Sequence, residues 1–561
     1  MPVATEKDVC ENFNRYFSNV GKDLARKITI DPSYNIPMHI TRIPNSIFLR
    51  PATVSELILV IQSLKNKKSC GPDGIPTHIL KSNCNSFAHI LCLCFNSILE
   101  TGIYSSCLKI AKVIPIFKTG NAENVSNYRP ISTLSVINKV FEKLLVNRFN
   151  SFLNVNNVFY NMQYGFRSGS STLTAICELV DSIIENVGSK KLVGALFLDL
   201  RKAFDTLNHS ILLEKLEAYG IRGIANNIIR SYLEDRMQFV AINNTRSTTM
   251  KVEVGVPQGS NIGPLLFLLY VNDLSKLPLH GQPRLFADDT FFFYPGECPA
   301  EVVAQIEADL VVLTRYFNAN LLSLNIEKTK YMLFHSPRKR IPTHADPALA
   351  NAVIEKVSNY KYLGIFLDET LSWNEHIKHV EQKISSYCGI LWRVRNFVPQ
   401  HVLKKIYFSF IHSHLTYLVA VWGRAALSRL SRLQCLQNRC LKTIFRLPML
   451  YPTAQLYSDV NHNILPIIKL CELQTALYVF DNLRSPESLQ NLRFSSRTHV
   501  HNTRQSHHLQ RSRSLTHLGQ TRISFIGPTL FNNLPDILKN INSRSIFKFR
   551  LTQHLKQTLH H

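Results

Sequence analysis

The stretch LFADDTFFFY, residues 285–294, sets an acidic pair, Asp288 and Asp289, between two apolar arms. The pattern reads as a tight hairpin whose arms are buried and whose junction is charged. Carboxylates are almost never left unpaired in a core, so the junction makes sense as a site rather than as packing. A second stretch, KLVGALFLDL (residues 191–200), is a nearly continuous apolar strand that ends in another carboxylate, Asp199. Asp199 and Asp288 are 89 positions apart. An antiparallel sheet would still bring them together by setting their strands side by side.

Around this centre the chain mixes strands and helices. AKVIPIFKTG (111–120) reads as a short strand entering a turn. NYRPIS (127–132) leads into a helix with Val140, Leu144, Leu145 and Phe149 on one side. SSTLTAICELVDSIIE is helical, with Ser170 or Ser171 at its start, and an amphipathic helix covers about 209–219. Further out, Phe13, Tyr16, Phe17 and Val20 fall at helical spacing. From Thr53 a helix carries Val54, Leu57, Ile58, Ile61 and Leu64 on one face, and another is predicted over about 79–99. Residues 371–450 read as mainly helical. The stretch 491–561 holds 11 Lys/Arg, 8 His and one acid, Asp536, and reads as a basic nucleic-acid surface or a poorly ordered extension. Within it, 523–538 is apolar enough to pack on something.

The whole chain of 561 residues carries 64 Lys and Arg against 39 Asp and Glu, a formal charge of +25. A long polyanion such as nucleic acid is the simplest partner for that imbalance. At 45% hydrophobic residues, the composition excludes a wholly disordered, collagenous or coiled-coil chain. Twelve Cys without paired metal-ligand spacing read as reduced, intracellular and mostly buried. No window reaches the ~18 apolar residues of a membrane span, and the first residues lack the apolar run of a signal peptide.

Three clustered carboxylates suit phosphoryl transfer. Two Mg²⁺ ions ~3.5–4 Å apart neutralise a triphosphate and activate an attacking hydroxyl. Mg²⁺ prefers hard oxygen ligands and often takes only one or two carboxylates beside substrate phosphates.

Eight segments in order then carry a resemblance. They are SCGPDGIP (69–76), AKVIPIFKTGNAENVSNYRPIS (111–132), QYGFRSGSST (163–172) and FLDLRKAFDTLNH (197–209), then GVPQGSNIGPLLFLLYVNDL (255–274), LFADDT (285–290), LSLNIEKTKYMLF (322–334) and YKYLGIFLDETLSW (360–373). Together they resemble the reverse transcriptase of non-LTR (LINE-type) retrotransposons, in the Jockey/CR1-like group. The resemblance implies an α+β right-hand polymerase with fingers, palm and thumb, an antiparallel palm sheet and a helical C-terminal region. It implies RNA-directed DNA polymerase activity by two-metal catalysis with Mg²⁺, or Mn²⁺ in its place. Asp199, Asp288 and Asp289 would be catalytic and metal-holding. Lys112, Lys118, Arg129, Phe204, Gln258 and Gly259 would form the nucleotide site, with the Phe204 ring excluding a 2′-hydroxyl. Gly259 would let the backbone come close to a ligand, and Ser260 would cap the next helix. Asn261 is a mild departure from the family pattern. Arg167, Lys328 and Gly364 would contact primer or template, with Gly364 in the hairpin that grips the primer. Asp368 lies outside the metal group.

The implied organisation is an N-terminal lead (1–50), a helical pre-polymerase segment (51–104), fingers and palm (105–367), a thumb-like helical region (368–450) and a basic His-rich region (451–561). Expected partners are template RNA, a DNA primer or target, and dNTPs, with no membrane. About 50 residues precede the first matching segment, too few for the family's endonuclease, so that activity is expected to be supplied separately. The expected location is the nucleus and/or cytoplasm. Two other readings stay open: a catalytically inactive nucleic-acid-binding remnant, and an RNA-dependent RNA polymerase, which Phe204 argues against.

Overall fold

The computed structural model describes residues 5–29, 40–349, 352–458, 464–484, 508–514 and 516–558. Helix α1 (Glu6–Arg26) opens with a capping box, in which Thr5 Oγ1 accepts from Asp8 N and the Asp8 carboxylate accepts from Thr5 N. Its stripe of Phe13 and Phe17 is buried against Val113 and Val240. Helix α2 (Val54–Ser63) is capped by Thr53 Oγ1. The helix expected over 79–99 is two, Thr77–Ser82 and α3 (Cys84–Thr101), with the break at Asn83.

Strands β1 (Ile110–Phe117) and β2 (Tyr128–Thr133) pair antiparallel, and α4 (Val136–Val155) follows with Val140, Leu144, Leu145 and Phe149 all buried. Helix α5 (Thr172–Gly188) is capped by Ser171. Then come β3 (Leu192–Leu198), α6 (His209–Ala218), β4 (Arg236–Ile242) and the short β5 (Met250–Val252). β4 lies parallel to β1 and takes β5 antiparallel on its other side, so this first sheet is mixed.

The second sheet holds the acidic centre. Its later members are β6 (Gln282–Phe286), β7 (Asp289–Gly296), β8 (Lys330–Phe334) and β9 (Glu355–Lys356), in the order β9-β8-β3-β7-β6. The expected antiparallel sheet is antiparallel except for the short parallel pair β9–β8. All of β3 is buried. Successive side chains of a strand point to opposite faces. Leu196 and Leu198 join one core, with α7 (Gly263–Val271) and α8 (Pro299–Ala319). Val193, Ala195 and Phe197 join the other, with α5 and the C-terminal helices. A strand covered on both faces needs an uninterrupted apolar run, which is why residues 192–198 lack polar alternation.

Beyond the sheet, β10 (Asn359–Tyr362) and β11 (Ile365–Asp368) form a hairpin. Helices α9 (Asn374–Val394), α10 (Leu427–Phe445), α11 (Ile467–Arg484), α12 (Ile523–Asn532) and α13 (Arg544–Gln557) follow. The segment around α12 is docked. The carboxylate of Asp181 on α5 accepts from the backbone N–H of Ile523 (2.7 Å) and Ser524 (2.9 Å), and Phe531 and Phe547 enter the same core as α5. The residues between 485 and 507 lie outside the described residues. Replacing Asp181 by alanine leaves two buried N–H groups without acceptors, at about 1–3 kcal/mol each. Limited proteolysis of D181A is expected to cut within 508–558 well before the rest of the chain.

Among the described residues no helix is long and apolar enough to cross a membrane. The cysteines are all free, but only six are buried (Cys10, Cys92, Cys177, Cys388, Cys440 and Cys471). Cys94, Cys107, Cys298 and Cys435 are exposed, contrary to the expectation that most are buried.

Candidate active site

Register builds the acidic group. Leu198, the last residue of β3, pairs with Thr290 of β7, and Phe286 of β6 pairs with Asp289. One step further along the ladder, Asp199 falls opposite Asp289, with Asp288 in the turn. That turn is bent by Ala287 at φ +57°. It is held from below by the segment before α5. Leu285 N donates to Met162 O (2.9 Å) and Tyr164 N donates to Leu285 O (2.8 Å). The buried Gln163 accepts through Oε1 from Gly165 N (3.0 Å) and Ala287 N (3.2 Å). A Cβ on Gly165 would stand 2.2 Å from Ala287 N, so only glycine lets the two backbones meet. The QYG of the third quoted segment thus serves the acidic turn.

Asp199 is held from its other side. Asn325 N donates to Asp199 O and Asn325 Nδ2 to Asp199 Oδ2, both at 2.9 Å, and Lys328 Nζ lies 3.8 Å from the same carboxylate oxygen. Asp288 and Asp289 are exposed to solvent at the turn. Loss of solvent raises the Asp288 carboxyl above its usual range, and the Asp199 charge adds to this. For Asp289, desolvation together with the charges of Asp288 and Asp199 pushes it up to about 6. Lys118 and Arg129 act in the opposite sense on both. The Lys118 ammonium is itself lowered, by desolvation and by Arg129 and Lys328. Three acids and three cations therefore share one field. Lys112 does not join them. It sits mid-strand on β1, between Thr133 of β2 and Phe239 of β4.

The GVPQGSN segment flanks this group. Phe204 stacks on Phe267 of α7 (centroids 4.7 Å, 29°) and meets Phe166 edge-on at 6.3 Å. Gln258 Nε2 donates to both carboxylate oxygens of Asp205, at 2.8 and 2.9 Å. Gly259 has φ +132°, and a Cβ there would lie 2.4 Å from Ser132 O, while Ser132 N donates to Gln258 O. One close approach that requires glycine here is to β2. Ser260 is two positions short of the N-cap, Ile262, yet its Oγ accepts from Gly263 N at 2.9 Å. Asn261 ties the loop to α4: its N donates to the buried Glu142 at 2.6 Å and its Nδ2 to Lys139 O at 2.9 Å.

Arg167 is turned toward its own loop. It donates to Tyr160 O (3.0 Å) and stands 5.2 Å from the Phe159 ring centroid. Gly364 forms the tip of the β10–β11 hairpin at φ +86°, against the Tyr417 ring, whose hydroxyl donates to Leu363 O. Tyr360 of that hairpin stacks on Phe197 at 3.9 Å, and burial with the charges of Asp199 and Asp289 raises its phenol to about 12. Asp368 is occupied in accepting from Ser372 N and Trp373 N, both at 2.8 Å, at the entry to α9. Gln163, Lys202, Asp205 and Asn325 escaped the sequence reading. Their work is visible only across elements far apart in the chain. A signal was present, since each lies within a quoted segment.

Residues 116–367 match the family described as reverse transcriptase (RNA-dependent DNA polymerase), which makes this stretch a reverse transcriptase domain. The domain is of the non-LTR retrotransposon type and homologous to those of jockey-like elements. The chain is 30% identical to the probable RNA-directed DNA polymerase from transposon BS of Drosophila melanogaster, over 75% of the chain and 48% of that protein. It is 28% identical to the probable polymerase from transposon X-element of the same fly, over 83% and 50% respectively. It is 27% identical to the RNA-directed DNA polymerase from mobile element jockey, over 74% and 46%. The chain thus spans about half the length of the curated relatives it matches.

Proposed function

We propose that this chain is an RNA-directed DNA polymerase, adding dNTPs to a primer 3′-hydroxyl under the direction of a template RNA. The observation that carries the reading is the convergence of Asp199 with Asp288 and Asp289 beside Lys118, Arg129 and Lys328, inside the matched domain. The sheet β9-β8-β3-β7-β6 would be the palm, the β1–β2 ribbon part of the fingers, and the helices from α9 to α10 the thumb.

Among the described residues no group of three or more His, Cys, Asp or Glu side chains has a metal-ligating arrangement. The donor set nonetheless fits Mg²⁺. Its atoms are hard oxygens, the charge of Asp199 raises the pKa of Asp288 and Asp289 and so favours a shared cation, and Mg²⁺ needs few protein carboxylates when substrate phosphates supply the rest. Asp199, Asp288 and Asp289 would hold two ions, or Mn²⁺ in their place. When bound, these ions offset the triphosphate charge and favour ionisation of the attacking hydroxyl. The 3′-oxygen then bonds to the α-phosphorus as the bond to pyrophosphate breaks. Lys118 and Arg129 offset phosphate charge from the β1–β2 side, and Lys328 does so beside Asp199. The Phe204 ring, backed by the buried Phe267 and met edge-on by Phe166, would stand as the wall beside the sugar.

The reading is tested by primer extension on an RNA template with an annealed DNA primer, dNTPs and Mg²⁺. RNA binding without extension would favour the binding-remnant reading. Phe204→Ala opens the wall and is expected to raise rNTP use relative to dNTP by roughly 10–100-fold, in line with what steric rejection of one small group supplies. An unchanged ratio of incorporated rNTP to dNTP would remove Phe204 from that role.

A further inference from the structure

The mechanism above leaves one carboxylate unused. Asp205 follows the gate residue directly and belongs to none of the acidic pairs at the turn. Segments 204–207 and 255–258 are knitted together by backbone: Val256 N donates to Phe204 O and Gly255 N to Leu207 O, both at 2.9 Å. The Asp205 carbonyl is enclosed by two glycines. A Cβ on Gly255 would lie 2.7 Å from it, and one on Gly21 of α1 would lie 2.1 Å away. The backbone that carries the carboxylate is therefore fixed, and the carboxylate faces the Gln258 side chain 53 positions later in the chain.

The chemistry of this contact settles which way the amide points. An ionised carboxylate can only accept, so the group it meets must be the NH₂ of Gln258. Desolvation raises the Asp205 carboxyl to about 6, against the Gln258 hydrogen bond and the Lys202 charge, so it remains ionised at neutral pH. With Nε2 committed inward at 2.8 and 2.9 Å, Gln258 Oε1 has no protein partner among the described residues.

We infer that Asp205 is a positioning residue: it fixes the carboxamide of Gln258 so that an incoming nucleotide meets a carbonyl acceptor held in one orientation. A free glutamine would offer either end and would lose side-chain entropy on binding. One held by a carboxylate is preorganised to accept a hydrogen bond from a nucleotide hydroxyl or amino group. The inference rests on the polymerase reading.

The test is steady-state incorporation of one dNTP opposite its template complement by the full chain and by D205A, D205N, Q258A and D205A/Q258A. D205A is expected to raise KM for the dNTP about tenfold, the size of a lost charge-assisted hydrogen bond, with kcat within about threefold. D205N, the same size and still able to accept from Gln258, should fall between D205A and wild type. It also serves if D205A fails to fold. The double variant should be no worse than Q258A, because Asp205 acts through Gln258. Unchanged KM in D205A and D205N, or multiplied losses in the double variant, would overturn the inference while leaving the polymerase reading intact. Absence of extension by the wild-type chain would overturn both.

Discussion

Asp288→Asn is expected to abolish primer extension, with kcat lower by roughly 10³-fold or more. The substitution keeps shape and removes one charge from the turn. The transition state of phosphoryl transfer is stabilised by several kcal/mol through charge at such a site, and each ~1.4 kcal/mol is a factor of ten. A second readout distinguishes this from unfolding. Asp288 raises the Asp289 carboxyl, so D288N should lower the Asp289 pKa from its value of about 6, measurable by titration of the folded variant. The pH profile follows with a definite sign. On the proposed reading a cation would displace the proton from Asp289, so Mg²⁺-dependent extension should fall as pH drops from 7.5 to 5.5. In the metal-free chain the folded pKa lies above the ordinary 3.8, so the contribution of Asp289 to stability is present below about 4 and lost as pH rises through about 6. Asp289→Asn should flatten that decline. A D288N enzyme that extends primers at the wild-type rate would remove the turn from catalysis.

Asp273→Ala is expected to cost about 3–5 kcal/mol. Lys215 of α6 and Asp273, just after α7, form an ion pair at 2.8 Å with both side chains fully enclosed. The ammonium also donates to Tyr270 O (2.6 Å), and Tyr316 of α8 donates to the same Asp273 oxygen (2.6 Å). Burial depresses the Lys215 pKa while Asp273 opposes that effect. Removing one partner strands the other charge away from water, and this is where the cost arises. The midpoint of thermal unfolding should drop by roughly 3–4 °C. The paired change K215M/D273L should recover much of the loss, since two apolar groups need no partner. A D273A midpoint within a degree of wild type would mean that water reaches the pair.

What could be read in advance divides by range. The apolar run of β3, the two arms around Asp288–Asp289, and the Thr53 and Ser171 caps are local patterns, and each folds as its own composition dictates. The three acids followed, because a two-stranded register is enough to join them. Lys112 and Lys118 looked equivalent in one strand. They differ because Lys112 lies within the sheet, whereas Lys118, just past its end, reaches the acids. Arg167 is a candidate template or nucleotide contact by its place in the GFRSGSS segment, and its guanidinium donates to Tyr160 O. Gly259 carries the conformational demand read from its sequence, and its backbone also lies against Ser132 O of β2. Gln163, Asn325 and Asp205 act on partners more than 50 positions away, and no spacing rule reaches that far.

The clamp between Asp181 and α12 has a consequence for how the chain is made. Its partners are 342 positions apart. At ~5–20 residues per second a ribosome needs roughly 20–70 s to supply Ile523 after Asp181 has been added. During that interval the face of α5 that carries Cys177 and Asp181 lacks its cover by α11 and α12. Synthesis of this protein therefore passes through a long-lived nascent form with an open apolar flank.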